Sequence, residues 1–393
     1  MPELPDEAYA AALASMPLVA ASRLHEMVDK FGWAQAWELA RDDRLRHAIA
    51  LRTTSERQPS EVFASWSDHL RQVDVDRYFD RHLQLGIEII LRDSPLMPIA
   101  LADDSQPPAV LFCRGDRQWL SQTCVGVVGT RRASSYGVVM AKRIGAELAE
   151  IGIGVVSGLA LGIDGAAHRG SLAGGRGASD IGHLAPAKGR PIGVVASGLD
   201  VVYPRQHADL WHAVIEDGVL ISEVPVGGRP LTWRFAQRNR LIAALSHAVV
   251  CVESKKVGGS MTTARMAISR GLGVFAVPGV ITNPLAHGPL DLLHEGANVY
   301  RNVDDIVIGL SSRAPWVPPL STTKRHRSLV ERVVEALDPV SEVVLECLET
   351  EPRSVDAVVE ITGLSLVQVV AALDRMQSGR RVEEVFGQWV VNV

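Results

Sequence analysis

Six short runs rich in Val, Ile and Gly recur between residues 124 and 309, at CVGVVG, GIGVVSG, PIGVVASG, GVLISE, AVVCVES and GVFAVPG, with helix-length segments between them. Such near-continuous apolar runs leave no polar face, so each one needs cover on both sides. That requirement selects a doubly wound α/β fold, a mostly parallel sheet with helices on both faces. Ligands of such sheets lie outside the carboxyl ends of the strands. The loops after the six runs therefore carry most of the functional information.

The flanking texture differs. Residues 1–85 repeat apolar positions at steps of three and four, as in AAALASMPLVAASRLHEMVDKFG and WAQAWELARDDRLRHAIA, and predict a small N-terminal helical domain. The proline-rich bridge SPLMPIALADDSQPPAVLFCRGD marks a change of texture near 95–120, and residues 86–123 are grouped with the α/β domain, which then spans 86–310. Gly- and Ala-rich residues 173–190 predict an exposed loop, and 311–337, with Pro315, Pro318 and Pro319 before Lys324, Arg325 and Arg327, predict a linker. Residues 338–393 read as three helices and a strand pair around Gly387, a winged-helix pattern. Its third helix offers Gln368, Asp374, Arg375 and Gln377, too little positive charge to make DNA reading the default, which favours a structural or protein-interaction module.

A length of 393 residues fits two or three domains, and 47% hydrophobic with 22% charged residues is ordinary for a globular chain. The formal charge of −5 argues against coating nucleic acid over the whole surface and leaves room for a local basic cleft. The N-terminal MPELPDEAYAAALASMPLVA places acids where a signal peptide needs bases, and no run is long enough to span a bilayer, so a cytoplasmic location without a membrane partner is expected. Cys113, Cys124, Cys251 and Cys347 form no CxxC pair and the histidines are dispersed, so neither a metal site, a disulfide framework nor a cofactor is expected.

The first loop, in VGVVGTRRASSYG, fails as a dinucleotide fingerprint: Gly126 and Gly129 are spaced wrongly and the second strand ends in VVSGLALG without a ribose-binding acid. No P-loop motif occurs in the chain. What remains is Gly129, Thr130, Arg131, Arg132, Ser134 and Ser135 at an expected helix N-terminus, a place suited to phosphate. The competing reading has the serines capping and the arginines solvated. The second loop brings Ser157, Gly158 and Asp164, then His168 and Arg169; with no nucleophile beside them, capping and orientation are favoured over acid–base catalysis. The third contributes Ser197, Gly198 and Arg205. After the fourth strand Arg229, Arg234, Arg238 and Arg240 stand with Asn239, Trp233 and Phe235, a mixture suited to the phosphates and bases of a single strand unless the aromatics are core and the arginines paired. The fifth loop supplies Lys255, Gly258, Gly259 and Ser260, with Thr262 and Thr263 in the next helical turn, another anion-binding helix start.

These blocks together, GTRRASSYG, SGLALGIDGAAH, ASGLDVVYP, ISEVPVG, RNRLIAALS, VES, GGSMTTA and AVPG, resemble in order and spacing the DNA-processing protein A family, DprA or Smf, over about residues 80–310. The helical N-terminus (of SAM or helix-hairpin-helix type) and the winged helix also look like accessory domains of that family. The resemblance implies a Rossmann-like domain that binds single-stranded DNA, dimerises, protects incoming DNA and loads RecA recombinase in natural transformation, with single-strand-binding protein as a further candidate partner. It makes Arg131 the first candidate for a phosphate contact and matches Arg238, Asn239 and Arg240 to the family's RNR and Ser260 to its loop serine as further nucleic-acid-binding candidates. Three departures stand out: Leu161 where the family usually carries an arginine, the 173–190 insertion with Arg176, Lys188 and Arg190, and GPLDLL in place of a Gly-Thr-Asn segment. The expected function is non-enzymatic. The alternatives are a nucleotide-binding enzyme or sensor using Asp164 and His168, and a protein whose winged helix and dimer surface recruit partners while DNA contact is incidental.

Overall fold

The computed structural model describes residues 4–49, 58–176, 188–310, 338–349, 353–378, 381–385 and 388–391. The chain opens with helices α1 (Asp6–Ala14), α2 (Ala21–Phe31), α3 (Trp33–Arg41), α4 (Pro59–Leu70) and α5 (Val75–Gln84). Leu13, Met27, Trp33, Phe63 and Trp66 from these helices are buried in one cluster with Val110, Phe112 and Trp211 of the α/β domain. Tyr78 donates to the Val226 carbonyl at 2.7 Å, and Val226 N donates to the His82 ring at 3.1 Å. That ring stacks on Phe112. A helical segment this small buries little surface alone, and here it is completed by the sheet.

Residues 86–123 contribute β1 (Glu88–Leu91) and β2 (Val110–Gly115), which pair antiparallel, with the short α6 (Ile99–Ala102) between them. The six expected runs form β3 (Cys124–Val128), β4 (Gly154–Ser157), β5 (Pro191–Val194), β6 (Val219–Ser222), β7 (Ala248–Cys251) and β8 (Gly273–Ala276), and β9 (Asn298–Val299) adds an edge. The sheet has nine strands in the order β1-β2-β6-β5-β4-β3-β7-β8-β9. From β6 to β9 every pairing is parallel, whereas β2 runs antiparallel to β6. The mostly parallel, doubly wound α/β class read from the sequence is the architecture observed.

Alternation along the buried strands divides the core. Val125, Val127, Ala248 and Val250 meet α7 (Ser135–Glu150), α8 (Ile163–Arg176) and, further along the chain, the helix Val303–Leu310. Cys124, Val128, Val249 and Cys251 point the other way, toward α10 (Thr232–Leu245) and α11 (Gly259–Ser269); α9 (Ala208–Asp217) packs instead beside the N-terminal helices. Helices α12 (His287–His294) and α13 (Val303–Leu310) complete the two layers. Helices α7 and α8 touch through glycine: a Cβ on Gly145 would lie 2.1 Å from the Ala167 carbonyl and one on Gly170 1.9 Å from that of Lys142.

Beyond the linker, α14 (Pro339–Glu349), α15 (Val355–Thr362) and α16 (Leu366–Ser378) enclose a core of Val344, Leu348, Val358, Val369 and Leu373, joined by the antiparallel pair β10 (Val382–Val385) and β11 (Gln388–Val391). This is the expected winged helix. The 311–337 linker and the Gly387 turn lie outside the described residues. So does most of the 173–190 stretch; its start is corrected, since α8 continues to Arg176. Among the described residues no single helix is long and apolar enough to cross a membrane.

Candidate nucleic-acid interface

The chain leaves β3 toward β4, β5 and β6, then returns to place β7 on the other side of β3. Loops diverge where strand order reverses, which opens a crevice at the carboxyl ends. A cleft of about 510 Å³ lies there, walled by Gly129, Thr130, Arg131 and Arg132 after β3, by Asp164, and by the turn entering α11. Helix α10 supplies Phe235, Arg238, Asn239 and Ile242 to the same wall, a spacing of three, four and seven residues that keeps them on one face. Arg131, Arg132 and Lys255 are exposed at the cleft. None of the three forms an ion pair among the described residues.

The two helix starts that face this cleft differ. Helix α11 begins after Gly258 with no side-chain cap, leaving its first amides available to an anion. Asn239 Nδ2 donates to the Gly259 carbonyl at 3.2 Å, and Ser260 Oγ bonds Ser254 Oγ at 2.8 Å, so both hold the turn's shape. Thr263 is buried and back-bonded to Gly259 O at 3.2 Å. The start of α7, expected to receive phosphate, is already filled. Ser134 caps it, accepting from Gly137 N at 3.1 Å. Ser134 in turn donates through N and Oγ to the Glu253 carboxylate at 2.9 and 2.5 Å.

Arg238 lies at the cleft floor, 6% exposed. Its Nε and Nη1 have no hydrogen-bond partner in the described structure. Gly158 makes the space, because a Cβ there would overlap Nη1. Burial lowers the Arg238 pKa to about 10, with Asp164 opposing the shift and Arg131 adding to it. Burial also pushes the Asp164 carboxyl up, against the pull of Arg238 and of hydrogen bonds from Ser157 and the Ala160 and Gly158 backbone. His168 is fully buried, and that burial lowers its pKa to about 4. It is a neutral ring behind the cleft, not in it.

Helix phase sorts the fourth block. Residues two apart on a helix point about 200° apart. Arg238 thus enters the cleft, while Arg240 turns to the opposite side, where it pairs with Glu223 and donates to the Gln106 carbonyl at 2.7 Å. Phe235 and Trp233 separate likewise: Trp233 lies toward Leu24 and Val110 in a small cavity against the N-terminal helices. Phe235 carries the Arg131 guanidinium at 4.8 Å from its ring centre and meets Tyr203 at 5.6 Å. These three, with Leu161 and Pro204, wall a side pocket of about 100 Å³.

Several candidates stand away from the cleft or serve the fold. Arg169 pairs with Asp209 at 2.8 Å. Arg234 donates to the Arg229 carbonyl at 2.7 Å. Ser157 is buried and bonded to Val127 O at 2.6 Å. Ser197 bonds Val201 O at 2.8 Å on the floor of the side pocket, and Gly198 fits closely under Pro225. Of the insertion's bases, Lys188 folds back on the Gly174 carbonyl and Arg190 sits over Trp119, so these two do not replace a base at Leu161.

The model of the family described as DNA recombination-mediator protein A matches residues 88–311. The chain belongs to the DprA family. A second model, the DprA winged helix domain, matches residues 331–376. DNA processing protein DprA of Bacillus subtilis is 37% identical over 238 residues, covering 60% of this chain and 76% of the relative. Protein Smf of Escherichia coli is 33% identical over 303 residues, covering 77% and 76%. The X-ray structure of DprA from Streptococcus pneumoniae matches with a TM-score of 0.62 at 27% identity, over 78% of this chain and 98% of that one.

Two contributors to this DprA cleft escaped the sequence reading. Tyr203 joins the side pocket from a loop after β5, and its only signal was an aromatic residue beside Pro204. Glu253 was visible in the VES block, but its partner Ser134 is 119 residues away.

Proposed function

We propose that this cleft binds the sugar-phosphate backbone of single-stranded DNA and that the protein acts in the cytoplasm, as a homodimer and without catalysis, to protect the strand and load RecA onto it. The observation that carries this reading is the junction of positive charge free of ion pairs with a partly exposed aromatic surface: Arg131, Arg132, Lys255 and the uncapped α11 beside the Phe235–Tyr203 pair. Phosphates and unstacked bases together are the ligand that such a surface fits. The family's description as a DNA recombination mediator supports the extension to RecA. A non-catalytic role is supported by His168, which is buried outside the cleft and cannot shuttle protons with a ligand there.

Titration of labelled single- and double-stranded oligonucleotides across a salt series tests the reading. Single strands should bind more tightly, and Arg131→Ala should reduce the salt slope by about 0.7 for its one phosphate contact. Preference for duplex would sink the proposal. RecA assembly on strands coated with single-strand-binding protein, with and without this protein, tests the loading step; an unchanged assembly rate would remove it.

A further inference from the structure

Glu253 lies just after β7 and is 3% exposed. Its carboxylate accepts from Ser134 N and Oγ, and its backbone carbonyl accepts from Thr130 N at 2.7 Å. One residue thus grips both ends of the loop that carries Arg131 and Arg132. The carboxylate also meets the positive end of α7, a helix of 16 residues. Gly137 in its first turn leaves the room, since a Cβ there would lie 2.3 Å from Glu253 Oε2.

In doubly wound folds the helix start after the first strand of the nucleotide-binding unit is where a dinucleotide's pyrophosphate rests. Strand β3 holds that place here. We infer that Glu253 is an internal substitute for a ligand phosphate, a positioning residue that closes this seat to small phosphate ligands and holds the Arg131 loop in the shape a DNA strand uses. Ligand phosphates are left with the α11 start, across the cleft. The second part rests on the single-strand reading, and the first does not.

Glu253→Gln keeps the side chain's size and removes its charge. Pyrophosphate binding, followed by calorimetry, should tighten about tenfold, the scale of one charge-assisted hydrogen bond. Binding of a labelled oligothymidine should weaken by a similar factor, and adding Arg131→Ala should cost little more than either change alone, because both act on the same loop. A carboxylate acting only as a negative charge near the cleft would give tighter strand binding on its removal. A purely structural role would lower the melting temperature and leave both affinities unchanged in the folded variant. Either result overturns the inference. Should Glu253→Gln fail to fold, Gly137→Ala displaces the carboxylate while keeping it, and its loss of strand affinity should again merge with that of Arg131→Ala; additive losses would refute the positioning role. If the parent protein shows no preference for single strands, the proposed function fails, while pyrophosphate binding to Glu253→Gln still decides whether the seat is closed by this residue.

Discussion

Arg238→Met separates what this residue costs the fold from what it does for a ligand. The guanidinium is 6% exposed, and its Nε and Nη1 lack partners among the described residues. Burial brings its pKa from 12.5 to about 10, so keeping the charge in place costs on the order of 3 kcal/mol. Methionine fills much of the same volume without that cost. It also removes the positive neighbour of Asp164, whose carboxylate keeps its hydrogen bonds from Ser157 and nearby backbone. The two terms oppose each other, and because Arg238 and Asp164 form no direct ion pair among the described residues, losing this neighbour costs less than breaking a buried pair would. Urea denaturation should therefore place the variant within about 1 kcal/mol of the parent, or above it. Strand binding should behave differently. One lost charge-assisted phosphate contact removes about 1.5–3 kcal/mol, or roughly 10- to 150-fold in Kd. Fluorescence anisotropy from about 50 to 200 mM salt should also show a slope smaller by about 0.7. A stability loss of about 3 kcal/mol with unchanged strand affinity would refute the reasoning, because it would make Arg238 a structural ion-pair member.

Arg240→Met should show the opposite pattern: it strands the largely buried Glu223 carboxylate, so stability should fall by about 3 kcal/mol in urea while the salt slope for DNA stays unchanged. Gly170→Ala drives a methyl group to within 1.9 Å of the Lys142 carbonyl, and should cost about 2 kcal/mol or more by the same denaturation, since both partners are helix backbone. Lys255→Ala removes an exposed charge and should lower strand affinity across sequences, with a slope change of about 0.7 and an unchanged melting temperature. His168 sets an acid limit: its folded pKa of about 4 lies below the ordinary 6.5, so the unfolded chain binds more protons between those values. Stability from this group is full above pH 6.5 and falls as the pH drops toward 4. Thermal melts across that window should flatten in His168→Leu, with a residual slope from His69, His82 and His247, whose pKa values burial also lowers.

The six central strands were legible because an apolar run covered on both faces has no other stable use. β1 and β2 were harder to read. EIIL and VLFC are short, stand beside a proline-rich stretch, and become strands through antiparallel pairing with each other and with β6. Within the site, the convergence of the loops on one sheet end followed from chain order and strand direction. The division of RNR into a cleft arginine and a paired one also follows from helix periodicity, once α10 is known to present Phe235 and Arg238 to the cleft.

By itself, then, the sequence determined the strand set, the winged helix and the glycines, hydroxyls and bases that the loops carry, because all of these rest on local pattern. Tertiary structure decided which helix start remains open. The α7 start looked as suited to an anion as the α11 start, and its local residues are compatible with either outcome. Pairing of β3 with β7 brings Glu253 against Ser134 across 119 residues of chain. A carboxylate delivered by that pairing fills the dipole and amides of α7, and only a long-range contact could have supplied it.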